Sequence, residues 1–440
     1  MERVEKKQEV VLAIDIGTTK VCAIAGFKND LGKLEVLGLG KVNSEGVLRG
    51  VVSNIEKTVN AIQEAIEITK RSANIEFSLV HVGIAGQHIK TLQHRGQLVR
   101  EYSDSEISQK DIDRLVHDIH KLVLPPGDKI LHAIPQEFSV DSEHGIIDPI
   151  GMSGVHLGAN FHIITGQITA TNNIYRCVER AGAKVANMTL EPIASAMAVL
   201  NEEEKQAGVV LVDIGGGTTD ITIFYEGIIR HTSVIPLGGN IVTKDIKEGC
   251  TVMPSHAENL KTRFGSALSD EVFENRIISI PGLRGREHKE ISEKNLSLII
   301  QARMEEILDY VFTEISNSGY GKKLVAGIVL TGGGALLRHV DKLAELHTGL
   351  PTRIGLPVEH LAHGYSETLC SPIYATAIGL LLRGIEDREN GKYKSPEKVQ
   401  KSLASEEIKV ENDHQPKGGI INIIIEKTRE WFDSEPDSDL

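Results

Sequence analysis

Hydrophobic residues along this chain gather in short β-branched runs that stop at glycines, with helical stripes between them. Residues 10–26 read VVLAIDIGTTKVCAIAG, and residues 209–227 read VVLVDIGGGTTDITIFYEG. Each is an apolar run, then Asp-Ile-Gly, then Thr-Thr, then a second β-rich run. The pattern predicts a buried strand, a glycine turn and an alternating strand, a hairpin made twice. Asp15 and Asp213 hold matching positions. A second echo pairs LVHVGIAG at 79–86 with IVLTGGGA at 328–335, each a buried strand ending in glycines. The chain therefore predicts two related βα halves. The second half runs longer between its landmarks, which predicts an insertion within 241–320. The first half is expected to carry its insertion after Gly86, within 87–165.

Helices are legible between the landmarks. Ile55, Val59, Ile62 and Ile66 form a stripe that predicts a helix over 55–69. Further helices are predicted over 172–181, 192–200 and 296–312, and a turn at 125–128. The last apolar helix is expected to end at 382. From 384 to 418 the composition shifts to Lys, Glu, Ser, Asn and Pro, which predicts a disordered linker. Extended, it could reach on the order of 100 Å. Residues 419–432 read GIINIIIEKTREWF. On a helix, Ile420, Ile421, Ile424, Ile425, Thr428, Trp431 and Phe432 share one face, an amphipathic pattern. An acidic tail, 433–440, follows.

Length and composition narrow the possibilities. At 440 residues the chain suggests two to four globular units. With 40% hydrophobic and 25% charged residues it is an ordinary globular composition. Its 48 basic against 61 acidic residues leave −13, so nucleic acid is not an expected partner. Cys22, Cys177, Cys250 and Cys370 lie far apart with no CxxC. They predict neither a metal site nor a disulfide framework and fit a reduced cytosol. The charged stretch before Val11 lacks the apolar core of a signal peptide, and no run reaches the ~20 apolar residues of a spanning helix.

Two facing glycine turns can grip a polyphosphate, because glycine lets the backbone approach and its N–H groups donate to phosphate oxygens. Gly17, Thr18, Thr19 and Lys20 would form one lip, with Lys20 neutralising phosphate. Gly215, Gly216, Gly217, Thr218 and Thr219 would form the other. Asp15 and Asp213 can hold the water shell of Mg²⁺. One such turn is equally an ordinary hairpin; two matched copies favour the phosphate reading. Gly332, Gly333 and Gly334 follow a strand and precede a helix, leaving space for a flat base. Glu258 and Lys261 share a helix face that could meet a ribose and base, or form only an exposed ion pair.

These residues resemble the actin, sugar-kinase and heat-shock chaperone ATPase superfamily, and within it most closely the FtsA family of bacterial division proteins. The first hairpin is similar to the superfamily's phosphate-1 motif, the second to phosphate-2, and TGGGALL to its adenosine motif. EPIASA at 191–196 resembles the connecting-helix motif. The stretch AENLKTRFGSAL and the terminal linker and helix point to the division family. The implied fold is α/β: an actin-like ATPase with two duplicated βα lobes around a nucleotide cleft. Each lobe would carry an inserted subdomain, and a flexible linker and C-terminal amphipathic helix would follow. The implied division is 9–86 for the first lobe, 87–165 for its insertion, and 166–205 for the return and connecting helix. The second lobe would be 206–240 and 321–367, with 241–320 as its insertion. A last helix, 368–383, would return to the first lobe, with 384–418 as linker, 419–432 as membrane helix and 433–440 as tail.

The resemblance also implies roles. ATP and Mg²⁺ would be the cofactors, with Asp15 and Asp213 holding the metal through water. Gly238 and Gly239 would lie near the nucleotide. Glu191, with Asp15 and Asp213, would be the candidate catalytic set, Glu191 orienting a water. ATP would act mainly as a conformational and polymerisation switch, with at most slow hydrolysis. The implied partners are a second copy in protofilaments, the FtsZ C-terminal tail through Arg303 and Glu306, membrane lipid and other division proteins. The implied place is the cytoplasmic side of the inner membrane at the division site. A sugar-type small-molecule kinase on the same fold is the alternative. No GxxxxGK[ST] occurs, which disfavours a P-loop enzyme. A chaperone would carry a β-rich peptide-binding domain where this chain has a linker and one short helix.

The terminal helix would be ~21 Å long, too short to span a bilayer. It could lie in the interface, apolar face down. Each large side chain fully buried contributes ~1.5–3 kcal/mol, and ordering the segment takes back much of the total. One helix should bind weakly, and a polymer presenting many gains avidity. Lys427 and Arg429 are balanced by Glu426 and Glu430, so the apolar face of Ile420, Ile421, Ile424, Ile425, Trp431 and Phe432 would supply the main force.

Overall fold

The computed structural model describes residues 10–100, 105–281 and 287–391. In the first lobe, β1 (Val11–Ile16) is buried at every position, as a strand covered on both faces must be. It pairs antiparallel with β2 (Lys20–Lys28), from Val11 opposite Gly26 to Ile16 opposite Val21. Then come β3 (Leu34–Asn43), the short hairpin β4 (Val47–Leu48) and β5 (Val51–Val52), α1 (Ile55–Ala73) and β6 (Leu79–Ile84). The α1 stripe packs as predicted, burying Val59, Ile62 and Ile66. The Asn54 side chain accepts from the Lys57 N–H at 3.0 Å to start the helix. It runs past 69 because Lys70 and Arg71 suit its last turn and Asn74, at φ 53°, caps it left-handed.

The next five elements are β7 (Lys90–Val99), α2 (Gln109–Ile119), β8 (Asp128–Val140), β9 (Glu143–Ile146) and β10 (His156–Gln167). Their strands form a separate antiparallel sheet in the order β7-β10-β8-β9. Leu115, Leu157, Phe161 and Ile163 give it a core of its own. The chain returns through α3 (Ile168–Arg180), β11 (Lys184–Leu190), α4 (Glu191–Val199) and α5 (Glu202–Ala207).

The second lobe opens with β12 (Val209–Ile214), β13 (Thr219–Tyr225) and β14 (Ile228–Ile235). Its insertion holds α6 (Gly239–Gly249), α7 (Pro254–Phe264), β15 (Ile277–Ile280), β16 (Lys289–Ser292) and α8 (Glu293–Asn317). It closes with β17 (Ile328–Thr331), α9 (Val340–Thr348), β18 (Thr352–Ile354) and α10 (Ala375–Glu389). The lobe sheets are ordered β3-β2-β1-β6-β11 and β14-β13-β12-β17-β18. In both, the hairpin is antiparallel and the inner neighbour parallel. The sequence echo is thus a duplication of topology.

A core joins the lobes. Ala13 and Ile24 from the first and Leu211 and Val329 from the second belong to one cluster with α4 and α10. The two helices touch backbone to backbone: a Cβ on Gly379 would lie 1.7 Å from the Ala194 oxygen.

Three further boundaries move. The helix expected over 172–181 starts at Ile168, where buried Ala170 and Thr171 anchor it. The helix expected over 296–312 is α8, started by Ser292, whose side chain accepts from the Asn295 N–H. The linker does not begin at 384. Burial of Ile385 and Asp387 carries α10 to Glu389, with Asn187 donating to Asp387. Residues up to Asp387 cluster as one unit, and those from Arg388 onward as a second, of which 388–391 are described. The rest of the expected linker and the helix carrying Ile420, Ile421, Ile424, Ile425, Trp431 and Phe432 lie outside the described residues. So does the acidic tail.

Candidate functional site

The two hairpin turns close in the same way. Gly17 N–H donates to the Lys20 oxygen and Gly215 N–H to the Thr218 oxygen, both at 2.9 Å. They then meet tip to tip. A Cβ on Gly216 would lie 2.3 Å from Thr19 Cγ2, and one on Gly217 would lie 2.6 Å from Thr18 Oγ1. Only glycine lets these tips approach. Gly216→Ala is therefore expected to destabilise the folded chain by about 1–3 kcal/mol. The check is a lower urea midpoint with an unchanged m value.

Between the tips lies a cavity of 280 Å³ lined by Gly17, Thr18, Thr19, Lys20, Gly215, Gly216, Gly217 and Thr218. Gly332 and Gly333 also line it. Among the described residues, the amides of Thr18, Thr19, Gly216 and Gly217 have no protein acceptor. Four carboxylates surround the cavity, from Asp15, Glu191, Asp213 and Asp220, against the cations Lys20 and Lys41. Lys20 pairs with Asp15. Burial pulls the Lys20 ammonium down, but the Asp15 charge and hydrogen bond, with Cys22 and Glu191, together outweigh it and the net shift is upward.

The second lobe's acids have less cationic help. Asp213 accepts from Ser195 Oγ at 2.7 Å and from Thr376 Oγ1 at 3.3 Å. Its pKa is raised by burial, against the Ser195 hydrogen bond. Asp220 accepts from Thr218 at 3.0 Å through one oxygen, and its other oxygen is buried with no partner. Burial, with the Asp213 charge, pushes Asp220 up to about 8. Glu191 opens α4 beside Gly83, where a Cβ would lie 2.8 Å from its Cγ. Burial, then the charges of Asp15, Asp220 and Asp213, pushes Glu191 well above the usual carboxylate range.

A second cavity, of 210 Å³, shares Thr19, Gly215, Gly216 and Gly333 with the first. Gly239, Glu258, Lys261 and Gly334 line its far part, with Asn240 and Arg338. The start of α6 is strapped to the second turn: Gly239 N–H donates to Gly215 and Asn240 N–H to Gly216. Lys261 Nζ donates to the Gly239 oxygen at 3.0 Å, Thr243 at 2.8 Å and Glu258 at 2.8 Å. The Glu258–Lys261 pair is therefore part of the cavity wall.

Several expected residues sit elsewhere. Strand alternation turns Thr219 away from the cleft that Thr218 faces. It is fully buried and donates to the Leu237 oxygen. Gly238 underlies the second turn, with no room for a Cβ against the Gly215 oxygen at 2.6 Å. Arg303 and Glu306, expected at a partner surface and not in the cleft, line neither cavity. Arg303 on α8 pairs with Asp245 of α6 and with Glu306. Sequence reasoning missed Asp220, Lys41, Asn240 and Arg338 on the walls. Asp220 had a signal, since it lies two residues after Thr218 on an alternating strand.

The family model "Cell division protein FtsA" matches residues 210–379, and "SHS2 domain inserted in FTSA" matches residues 86–165. The chain is 42% identical over 378 residues to Cell division protein FtsA of Neisseria meningitidis serogroup B, covering 86% of this chain and 90% of that one. The chain belongs to the FtsA family of cell division proteins. The same-named protein of Pseudomonas aeruginosa is 39% identical over 383 residues, covering 87% and 91%. That of Escherichia coli K12 is 35% identical over 405 residues, covering 90% and 96%. Among solved structures, this FtsA-family chain is similar to the PilM–PilN type IV pilus biogenesis complex. The TM-score is 0.62 at 16% identity, covering 85% of this chain and 98% of that one. MreB5 of Spiroplasma citri bound to ADP matches with a TM-score of 0.53 at 16% identity, covering 87% and 98%. The fold is the actin-like ATPase fold.

Proposed function

We propose that this chain binds ATP·Mg²⁺ between its glycine turns and works as a polymerising division protein. In this reading it anchors the FtsZ ring to the cytoplasmic face of the inner membrane. The observation that carries the nucleotide half is the pair of opposed turns, whose residues with unpartnered amides line a cavity walled by carboxylates. Amides of Thr18, Thr19, Gly216 and Gly217 would hold phosphate oxygens, with Lys20 as counter-charge. Glu258, Lys261 and Gly334 would border the nucleoside. The surplus of acid over base, and the unpartnered Asp220 oxygen, suit a hydrated divalent cation. Bound Mg²⁺ would supply positive charge to balance these carboxylates and the phosphates. Glu191 can orient a water only when ionised, and burial together with the charges of Asp15, Asp220 and Asp213 disfavours that form. That supports slow hydrolysis and a switch role.

Family membership supports the division role, self-assembly and the partners. Arg303, held by Asp245 of α6 and paired with Glu306 on α8, would present a fixed charge pair to the FtsZ tail. Among the described residues, no helix is long and apolar enough to cross a membrane. The stripe at 420–432 is the proposed contact with lipid.

Liposome co-sedimentation tests this with the full chain, a truncation after Gly391, and Trp431→Glu. The expected result is that only the full chain pellets, and more so with ATP·Mg²⁺. If all three stay in solution, the anchoring reading fails. Substrate-stimulated ADP release would then favour a small-molecule kinase.

A further inference from the structure

We propose that Ser195 and Thr376 are positioning residues that set the Asp213 carboxylate for a Mg²⁺-bound nucleotide and tie it to both helices joining the lobes. The inference rests on the nucleotide reading above. Ser195 lies on α4 and Thr376 in the first turn of α10. Both converge on one atom, Asp213 Oδ2, at 2.7 and 3.3 Å, and stand 3.0 Å from each other. Ser195 is fully buried and Thr376 nearly so. Neither hydroxyl belongs to a glycine turn, and helix packing alone does not require either.

Each hydroxyl carries one proton. The shortest route has Thr376 donating to Ser195 and Ser195 donating to Asp213. Ser195 is then the principal donor and Thr376 its support. Oδ1 is hemmed on its other side: a Cβ on Gly332 would lie 2.2 Å from it. The carboxylate is therefore held on both sides, with Oδ2 committed to the helices and Oδ1 against Gly332, itself a residue of the cavity wall. The helices that hold it cross at Gly379 and Ala194, in the core joining the lobes. A shift of either helix would release the carboxylate, so lobe arrangement and metal affinity are linked through these two side chains.

Isothermal titration of the full chain with ATP, in Mg²⁺ and separately in EDTA, tests the inference on Ser195→Ala, Thr376→Val and Thr376→Ser. Loss of a hydrogen bond to a charged group is expected to weaken Mg²⁺·ATP binding about tenfold in Ser195→Ala. Thr376→Val should lose less, Thr376→Ser should match the unaltered chain, and ATP in EDTA should bind all four within about twofold. Thermal melting of the nucleotide-free variants checks that each folds. Equal loss with and without Mg²⁺, or unchanged Mg²⁺·ATP binding in Ser195→Ala, overturns the positioning role. If the unaltered chain binds ATP in neither buffer, the nucleotide reading itself falls, and this inference with it.

Discussion

Lys20→Met is expected to destabilise the nucleotide-free chain by about 3–5 kcal/mol and to weaken ATP binding at least about tenfold. Methionine keeps the length and apolar stem of lysine, so packing changes little. The charge is the loss. Asp15 is 3% exposed and pairs with Lys20, while Glu191 and Asp213 line the same cavity. Removing one partner of a buried pair strands the other charge in low dielectric. Lys41 also lines the cavity, but as a largely exposed residue of β3 it screens Asp15 poorly. Urea unfolding gives the stability change, and Lys20→Met/Asp15→Asn should recover most of it, because no charge is then stranded. ATP binding should not recover, since the counter-charge for phosphate is still missing. A single variant as stable as the unaltered chain would show that the pair does not hold the first hairpin.

The duplication makes the two halves of the site alike in backbone and unlike in charge. Opposite Asp15 across the first hairpin stands Cys22, and opposite Asp213 across the second stands Asp220. Burial pushes the Cys22 thiol up to about 12, so it stays neutral. The first hairpin therefore balances Asp15 with Lys20, while the second sets two acids side by side. A cation drawn to the cleft has its strongest attraction on the second lobe's side.

The glycine turns were legible because each is local: strand, turn and strand lie within twenty residues, and periodicity with glycine placement specifies them. Asp220 was legible in principle, since alternation from Thr218 puts it on the cleft side. Thr219 was misplaced for the same reason, its strand position turning it inwards. Lys41, Asn240 and Arg338 come from β3, α6 and the turn before α9, and no local pattern brings them together. Ser195 and Thr376 read as ordinary helix residues, and only the crossing of α4 and α10 sets them on Asp213. Past Gly384, charged residues hid the helix that continues to Glu389, because the burial of Ile385 and Asp387 depends on distant partners.

The nucleotide-free chain is expected to lose stability as pH rises from about 5 to 8, and Asp220→Asn is expected to remove much of that loss. Asp220 is 5% exposed, faces Asp213 across the hairpin, and has one oxygen without a partner. Burial first, and the Asp213 charge second, raises it to about 8 when folded. The unfolded value is about 3.9. Between these values the folded chain binds the extra proton, so unfolding becomes easier as that proton is lost. The contribution is full below the unfolded value and is lost as pH rises through about 8. Its size is on the order of a few kcal/mol. Glu191 shifts in the same direction, so some slope should survive in Asp220→Asn. Lys20 adds no slope in this window, because the stability its raised pKa contributes is constant there and is lost only above its ordinary alkaline value. Urea midpoints at four pH values, for both chains in EDTA, measure the effect. The variant should be the more stable at pH 8, because asparagine fills the same space without a second charge beside Asp213. Added Mg²⁺ should narrow the gap by stabilising the unaltered chain more, since a cation relieves the repulsion that asparagine has already removed. A midpoint that stays level or climbs towards pH 8 would mean that Asp220 is ionised in the folded chain at neutral pH, its charge already balanced.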